Sequence, residues 1–241
     1  MRMLDSYCLF GRWPHEPRDV SLERLLESLA ALGVEKAAAT SLRGVFYDHG
    51  EGNAETLRVC REHPRLVPAA TVRPAAYSRR ESLPAELARQ GFRMLRLFPD
   101  LQEWATTEGV LLERILAECA EAGLPVAVAV AKKVGVASAL ARLAPKGCRV
   151  ILSYVYYTPL AECLEVMRRR EEFLMELGRT CMPFSVELLC RELGASRLVL
   201  GTRAALDSGR GSLEMVRHAE ISEADQAAIL GGNLARLLGG I

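Results

Sequence analysis

No apolar run in this chain reaches the roughly 18 uninterrupted residues that a membrane span needs. The N-terminal stretch MRMLDSYCLF is too short for a secretory signal or an anchor. No membrane association is expected, and the expected location is cytoplasmic. Charge of one sign is also missing. The 31 basic residues are balanced by 30 acidic ones, a formal net charge of +1, which leaves no bulk field to draw in nucleic acid or an anionic bilayer. The seven cysteines (Cys8, Cys60, Cys119, Cys148, Cys163, Cys181 and Cys190) are odd in number and carry no C-x-x-C spacing of the kind zinc sites use. Reduced thiols behaving as small hydrophobes are expected. Nucleotide and nucleophile fingerprints are lacking as well. There is no Walker loop, no G-x-G-x-x-G opening a helix after a strand and no G-x-S-x-G elbow; Gly209-x-Gly211 is an isolated pair in an expected loop. No cofactor is expected.

Among its 241 residues, half are hydrophobic and a quarter charged, enough for one full core. No linker or low-complexity tract divides the chain, so residues 1–241 are expected to form a single domain. Short apolar runs alternate with stretches of helical spacing, the pattern of repeated βα units around a parallel sheet. Strands are expected at Arg2 to Leu9, Lys36 to Ser41, Leu66 to Arg73, Arg93 to Phe98, Pro125 to Ala131, Arg149 to Tyr154, Phe173 to Leu177 and Arg197 to Thr202. Most are apolar at successive positions, as strands buried on both faces should be. Between them, stripes such as Leu22, Leu25, Leu26, Leu29 and Leu160, Cys163, Leu164, Met167 follow the i, i+3, i+4, i+7 rule. The seventh helix carries Val186, Leu189, Cys190 and Leu193 and stops at Gly194. The last opens at Ser222 with Asp225 three residues on, and Gly231-Gly232 suggests a break before Asn233. Eight βα units make the expected class α/β, a (β/α)8 TIM barrel.

In such barrels the loops after the strands build the active face. The longest non-helical one is expected from Leu42 to Gly52, holding Arg43, Phe46, Tyr47, Asp48 and His49. It is either a lid or pocket wall, or a surface excursion with its aromatics tucked onto the rim. The charge run Arg168-Arg169-Arg170-Glu171-Glu172 reads as a solvated helix end.

Several stretches carry a family resemblance: LDSYCLFGRWP, GNAETLRVCREHPRLVPAATVRP, GFRMLRLFPD, AGLPVAVAV, GASRLVLGT and ILGGNLARLLG. Together they resemble the amidohydrolase-related TIM-barrel hydrolases, a branch that includes decarboxylases and lactone hydrolases, over nearly the whole chain. The resemblance implies a D-x-H-x-H pattern on the first strand, a His on each of the fifth and sixth, and a final Asp, which together hold a divalent metal and activate water. This chain has Tyr7, Leu9, Ala129, Tyr154 and Arg203 at those positions. Leu and Ala offer no donor, a neutral Tyr is a poor ligand, and Arg stays protonated. No metal is therefore expected. The only four histidines, His15, His49, His63 and His218, stand in loop or helix-end contexts; of these His49 alone could reach the pocket.

The strand ends instead offer Asp5, Tyr7, Ser41, Arg73, Arg96, Lys132, Tyr154, Glu176 and Arg203. Forked guanidinium donors suit carboxylate or phosphate, so one reading is a barrel that binds a small anionic molecule through Arg73, Arg96, Lys132, Arg203 and His49, with Arg203 as anchor. The competing reading pairs Asp5 with Arg203 and Glu176 with Arg96, merely filling a vacated site. An enzyme acting on a small carboxylate or lactone would draw on Asp5, Tyr7, Tyr154 and Glu176 for proton transfer. A non-catalytic subunit of an active paralogue is the third reading. Self-association stays open: the outer helices carry enough alanine and leucine for a dimer face, but that alone does not make one.

Overall fold

A computed structural model describes residues 2–15, 17–73, 82–103, 109–179 and 182–240; Cys181 lies outside the described residues. Strands β1 (Leu4–Arg12), β2 (Asp19–Val20), β3 (Lys36–Ser41), β4 (Leu66–Thr71), β5 (Met94–Leu97), β6 (Val126–Ala131), β7 (Val150–Val155), β8 (Leu174–Leu177) and β9 (Leu198–Leu200) form one sheet. All but β2 run parallel in chain order, while β2 turns back antiparallel on the end of β1, pairing Gly11 with Val20 and Arg12 with Asp19. Helices between the strands cover the outside, giving the (β/α)8 barrel. All eight expected strands are present, Lys36–Ser41 with both ends as expected and the others with ends shifted by at most three residues.

The largest shift is in β1, which runs on to Arg12. Its register against β3 slips between Asp5 and Cys8, where one extra residue forms a bulge that re-aims Tyr7. At the other end of the sheet β9 stops at Leu200. Among the described residues no ladder joins β9 to β1. Side chains close that seam: Ser6 Oγ lies 2.8 Å from the Leu200 carbonyl, and the Thr202 N–H donates to Asp5 Oδ1 at 3.0 Å.

Outside the sheet, α1 (Leu22–Leu32) starts on Ser21, whose side chain accepts from the Arg24 N–H, and ends on Gly33 at φ 72°, the left-handed stop that glycine takes without strain. The stripe on α1 buries Leu25 and Leu29, that on α7 (Leu160–Arg169) buries Leu160, Cys163 and Met167, and that on α8 (Ser185–Leu193) buries Val186 and Leu189. Within the charge run, Arg168 and Arg169 pair with Glu165 at the exposed end of α7. The described cysteines are all free thiols, and burial pushes Cys148 and Cys190 up to about 11.

Two expectations fail here. Leu42 to Gly52 is not a loop: α2 (Leu42–Phe46) is capped by Ser41, which accepts from the Arg43 N–H, and α3 (His49–Glu62) by Asp48, which accepts from the Glu51 N–H. The polar residues that read as loop are N-caps. Phe46 is tucked against Trp13, with ring centroids 5.2 Å apart, while Tyr47 stays 54% exposed. Nor does Gly231-Gly232 break the last helical stretch. The chain passes from α10 (Glu223–Ala227) through a π-helical segment, Ala228–Gly232, into α11 (Asn233–Leu237). A Cβ on Gly231 would lie 2.4 Å from the Arg2 carbonyl oxygen, so the glycine is there to let this segment lie against the start of β1.

Inside the barrel, side chains stack in layers. The bottom layer holds Leu4, Ala38, Ala69, Met94, Ala127, Ile151 and Val199, plugged from below by Leu234, Leu237 and Leu238. The top layer holds Tyr7, Leu9, Phe98, Leu42, Val45 and Leu206. Between them lies a polar layer.

Candidate anion site at the barrel mouth

Arg96, on β5, is 1% exposed in that polar layer. Its Nη1 donates to Ser153 Oγ at 2.8 Å, and its Nη2 donates to the Ser6 carbonyl oxygen and pairs with Glu176 Oε2 at 3.2 Å. Ser153 Oγ donates to Glu176 Oε1 at 2.9 Å, where the Tyr154 N–H also arrives at 3.3 Å. Ser6 Oγ shares its proton between Leu200 O and Glu176 Oε2, the latter at 2.9 Å. Room for this carboxylate comes from Gly201, where a Cβ would sit 2.5 Å from Glu176 Cγ. Each partner compensates the other's desolvation, as buried charges require.

Asp5 is equally committed. It accepts from the Tyr7 and Thr202 N–H groups at 2.9 and 3.0 Å, from Cys8 Sγ at 3.3 Å and from Thr202 Oγ1. Burial nevertheless holds its carboxyl above the usual range, outweighing the hydrogen bonds from Thr202, Tyr7 and Cys8. Of the two internal pairs expected as alternatives, Glu176 with Arg96 forms and Asp5 with Arg203 does not. Four donors already occupy Asp5, and Arg203 Nε lies instead 2.9 Å from Asp207 Oδ2.

Above this layer the mouth is built of guanidinium and phenol planes. The Tyr7 ring has Arg96 at 4.2 Å and Arg203 at 5.3 Å, and Arg203 lies 4.0 Å from the Tyr154 ring. Arg179, from the loop after β8, sits 5.2 Å from the Tyr156 ring and its Nη2 donates to the Tyr156 hydroxyl at 3.0 Å. The Tyr156 hydroxyl is 2.9 Å from that of Tyr154. Burial opposes ionisation of Tyr156, but its hydrogen bonds with Tyr154 and Arg179 and the nearby guanidinium charges leave it more acidic than usual. Burial pushes the Tyr7 phenol up to about 12 in spite of Arg203 and Arg96, which keeps it a neutral donor near neutral pH.

Backbone strain gathers at the same place. Ala131, Tyr154 and Arg203, at or just beyond the ends of β6, β7 and β9, have φ of 54°, 56° and 57°. Each non-glycine residue in that region costs on the order of 1 kcal/mol. The strained turns aim the Tyr154 and Arg203 side chains at a cleft of about 250 Å³. Arg203 is 6% exposed; its buried Nε, although 2.9 Å from Asp207 Oδ2, makes no hydrogen bond of good geometry, and among the described residues none reaches its Nη atoms.

The structure thus brings Tyr7, Tyr154 and Arg203 together on one cleft and sets Asp5, Arg96 and Glu176 beneath or beside it. It does not bring in the other three expected residues. Arg73 Nη1 donates to the Tyr47 carbonyl at 2.8 Å, Lys132 is exposed with Nζ 5.1 Å from the Tyr156 ring, and His49 begins α3. In their place stand Trp13, Asp100, Arg179 and Asp207, which line the same cleft and which strand-end reading missed. A signal existed for two of them: Asp207 stands four residues after Arg203, and Asp100 follows Phe98-Pro99 just past the end of β5. Leu9 is buried in the top layer and Ala129 in the barrel wall. Among the described residues no group of three or more His, Cys, Asp or Glu side chains could hold a metal ion. No described helix is long and apolar enough to cross a membrane.

Solved structures share this architecture. An uncharacterised TIM-barrel protein from Bordetella bronchiseptica superposes with a TM-score of 0.73 at 18% identity, covering 100% of this chain and 99% of the other. The 5-carboxyvanillate decarboxylase from Sphingomonas paucimobilis gives 0.71 at 13% identity, over 98% of each chain. A probable 2-pyrone-4,6-dicarboxylic acid hydrolase from Acinetobacter baumannii, solved with citric acid bound, gives 0.73 at 13% identity, over 99% and 100%. No curated protein matches the chain by sequence. Residues 5–240, however, match the family model described as Amidohydrolase, so this (β/α)8 barrel belongs to the amidohydrolase family.

Proposed function

We propose that the mouth binds a small anion, a carboxylate, with Arg203 as anchor and without a catalytic metal. The observation that carries this reading is the Arg203 guanidinium, almost wholly buried beside the cleft and, among the described residues, without a hydrogen bond. Its neighbour Tyr7 adds a neutral hydroxyl donor. The named activities of the similar proteins, a carboxyvanillate decarboxylase and a pyrone-dicarboxylic acid hydrolase, agree with a carboxylate as ligand class.

The residues present do not fit a divalent cation. Tyr7, Leu9, Ala129, Tyr154 and Arg203 occupy the positions where the family's ligands are expected, and the two interior carboxylates, Asp5 and Glu176, already accept from four donor groups each. A fixed guanidinium at the mouth would repel a metal. Elemental analysis of protein purified without chelator or metal affinity should find essentially no metal per chain. Near-stoichiometric zinc, manganese or iron would overturn this part of the reading.

Replacing Arg203 with Ala should leave the barrel folded and abolish binding of benzoate, while Arg203→Lys, which keeps the charge but loses the planar fork, should bind weakly. Calorimetric titration checks both. Unchanged affinity in the Ala variant sinks the anchor role.

A second reading is metal-free decarboxylation or hydrolysis of a small carboxylate. It draws support from the Tyr154–Tyr156 hydroxyl pair next to Arg179, a relay that could hold or move a proton at the mouth.

A further inference from the structure

Asp100 lies just after β5, and its Oδ1 is buried without a hydrogen-bond partner. It lines the same cleft as Arg203, Tyr7 and Arg179. An ionised carboxylate placed there would confront any anion bound to Arg203 and leave a buried lone pair unsatisfied. A neutral carboxyl reverses both effects, because its O–H becomes a donor to the ligand.

Charge balance points the same way. Asp207 Oδ2 is shared by Arg203 at 2.9 Å and Arg179 at 3.5 Å, so two guanidiniums stand against one committed carboxylate. Arg18 lines the cleft as well, and with Asp100 neutral the mouth is one unit more positive towards a ligand than with Asp100 ionised.

We propose that Asp100 is a ligand-contacting residue that binds as the neutral acid, so that each small monocarboxylate enters the mouth together with one proton. The proposal rests on the anion-site reading above and adds the residue and the proton linkage. Burial holds the Asp100 carboxyl above the usual carboxylate range, against its own and the Leu101 N–H and the charges of Lys133 and Arg203. The other charged or titratable groups lining the cleft are Tyr7 from β1, Arg18 from the β1–β2 connection, Tyr154 from β7, and Arg179 and Asp207 from the loops after β8 and β9. The sign follows from the raised value: the donor form prevails below it and is lost as pH rises through it. Affinity therefore falls with rising pH.

The test is calorimetric titration of benzoate and benzenesulfonate between about pH 5 and about pH 8, where the sulfonate stays ionised throughout and any slope belongs to the protein. For the unchanged protein, both anions should weaken about tenfold or more across the range, with proton uptake, measured from buffers of different ionisation enthalpy, that rises with pH towards about one. Asp100→Asn, a neutral donor at every pH, should keep the tight low-pH affinity and lose the slope and the proton uptake. Asp100→Ala should bind weakly at every pH and also lose the slope.

A slope that survives in either variant overturns the proposal, as does loss of binding in a folded Asp100→Asn protein or pH-independent binding by the unchanged one. Those results leave the Arg203 site standing. If the unchanged protein binds neither anion at any pH, the anion-site reading falls and the Asp100 proposal with it.

Discussion

Replacing Arg96 with Met should lower the unfolding free energy by about 3–5 kcal/mol, the usual cost of leaving one member of a buried ion pair alone. Glu176 would remain fully buried, still held by Ser6, Ser153 and the Tyr154 N–H but without its cation. The same physics makes the double replacement Arg96→Met with Glu176→Leu far milder than either single change, because it removes the uncompensated charge along with the pair. Urea denaturation of the three variants checks both statements. A wild-type midpoint for Arg96→Met would mean that the polar layer contributes little to holding the barrel together. A double variant no better than the single would mean that its serines, and not the charges, set the penalty.

A loss of about 3 kcal/mol or more is expected for Gly52→Ala. The added Cβ would come 2.0 Å from the Gly44 nitrogen and 2.2 Å from its Cα. Those are backbone atoms, and no rotamer can relieve the clash. Next in the chain, Asn53 cannot drift away either: its Nδ2 donates to the Thr71 carbonyl and its Oδ1 accepts from the Thr71 N–H, both at 2.9 Å, tying α3 to the end of β4. Thermal unfolding followed by circular dichroism measures the effect, and a melting temperature like that of the unaltered protein would show that α2 and α3 can part without harm.

The pair Gly44 and Gly52 also explains where sequence reading fell short. Glycines at 44, 50 and 52 in a polar stretch look like loop, yet two of them serve the close approach of helices, and α2, at five residues, is too short to express a 3.6-residue period. The barrel strands were legible because parallel strands buried on both faces become continuous apolar runs. Their ends were less so: the bulge in β1 and the hairpin to β2 prolong that strand past any hydrophobic signal. At the site, Tyr7, Tyr154 and Arg203 could be read because strand ends in a parallel barrel share one mouth. Arg73 and Lys132 lie just past their strands, where the chain has already turned, and their side chains follow the loops elsewhere. Asp100, Arg179 and Asp207 reach the cleft only through loop geometry, which has no period to betray it.

The layer of Leu234, Leu237 and Leu238 beneath the barrel has a consequence for traffic. With its floor plugged by these leucines, the barrel is, among the described residues, a cup open at the mouth, and any molecule that enters there leaves the way it came. Anything that covers the rim without touching the bound molecule therefore slows arrival and departure by the same factor. It would change how long the cup stays full or empty, and leave untouched how often, at equilibrium, it is found full.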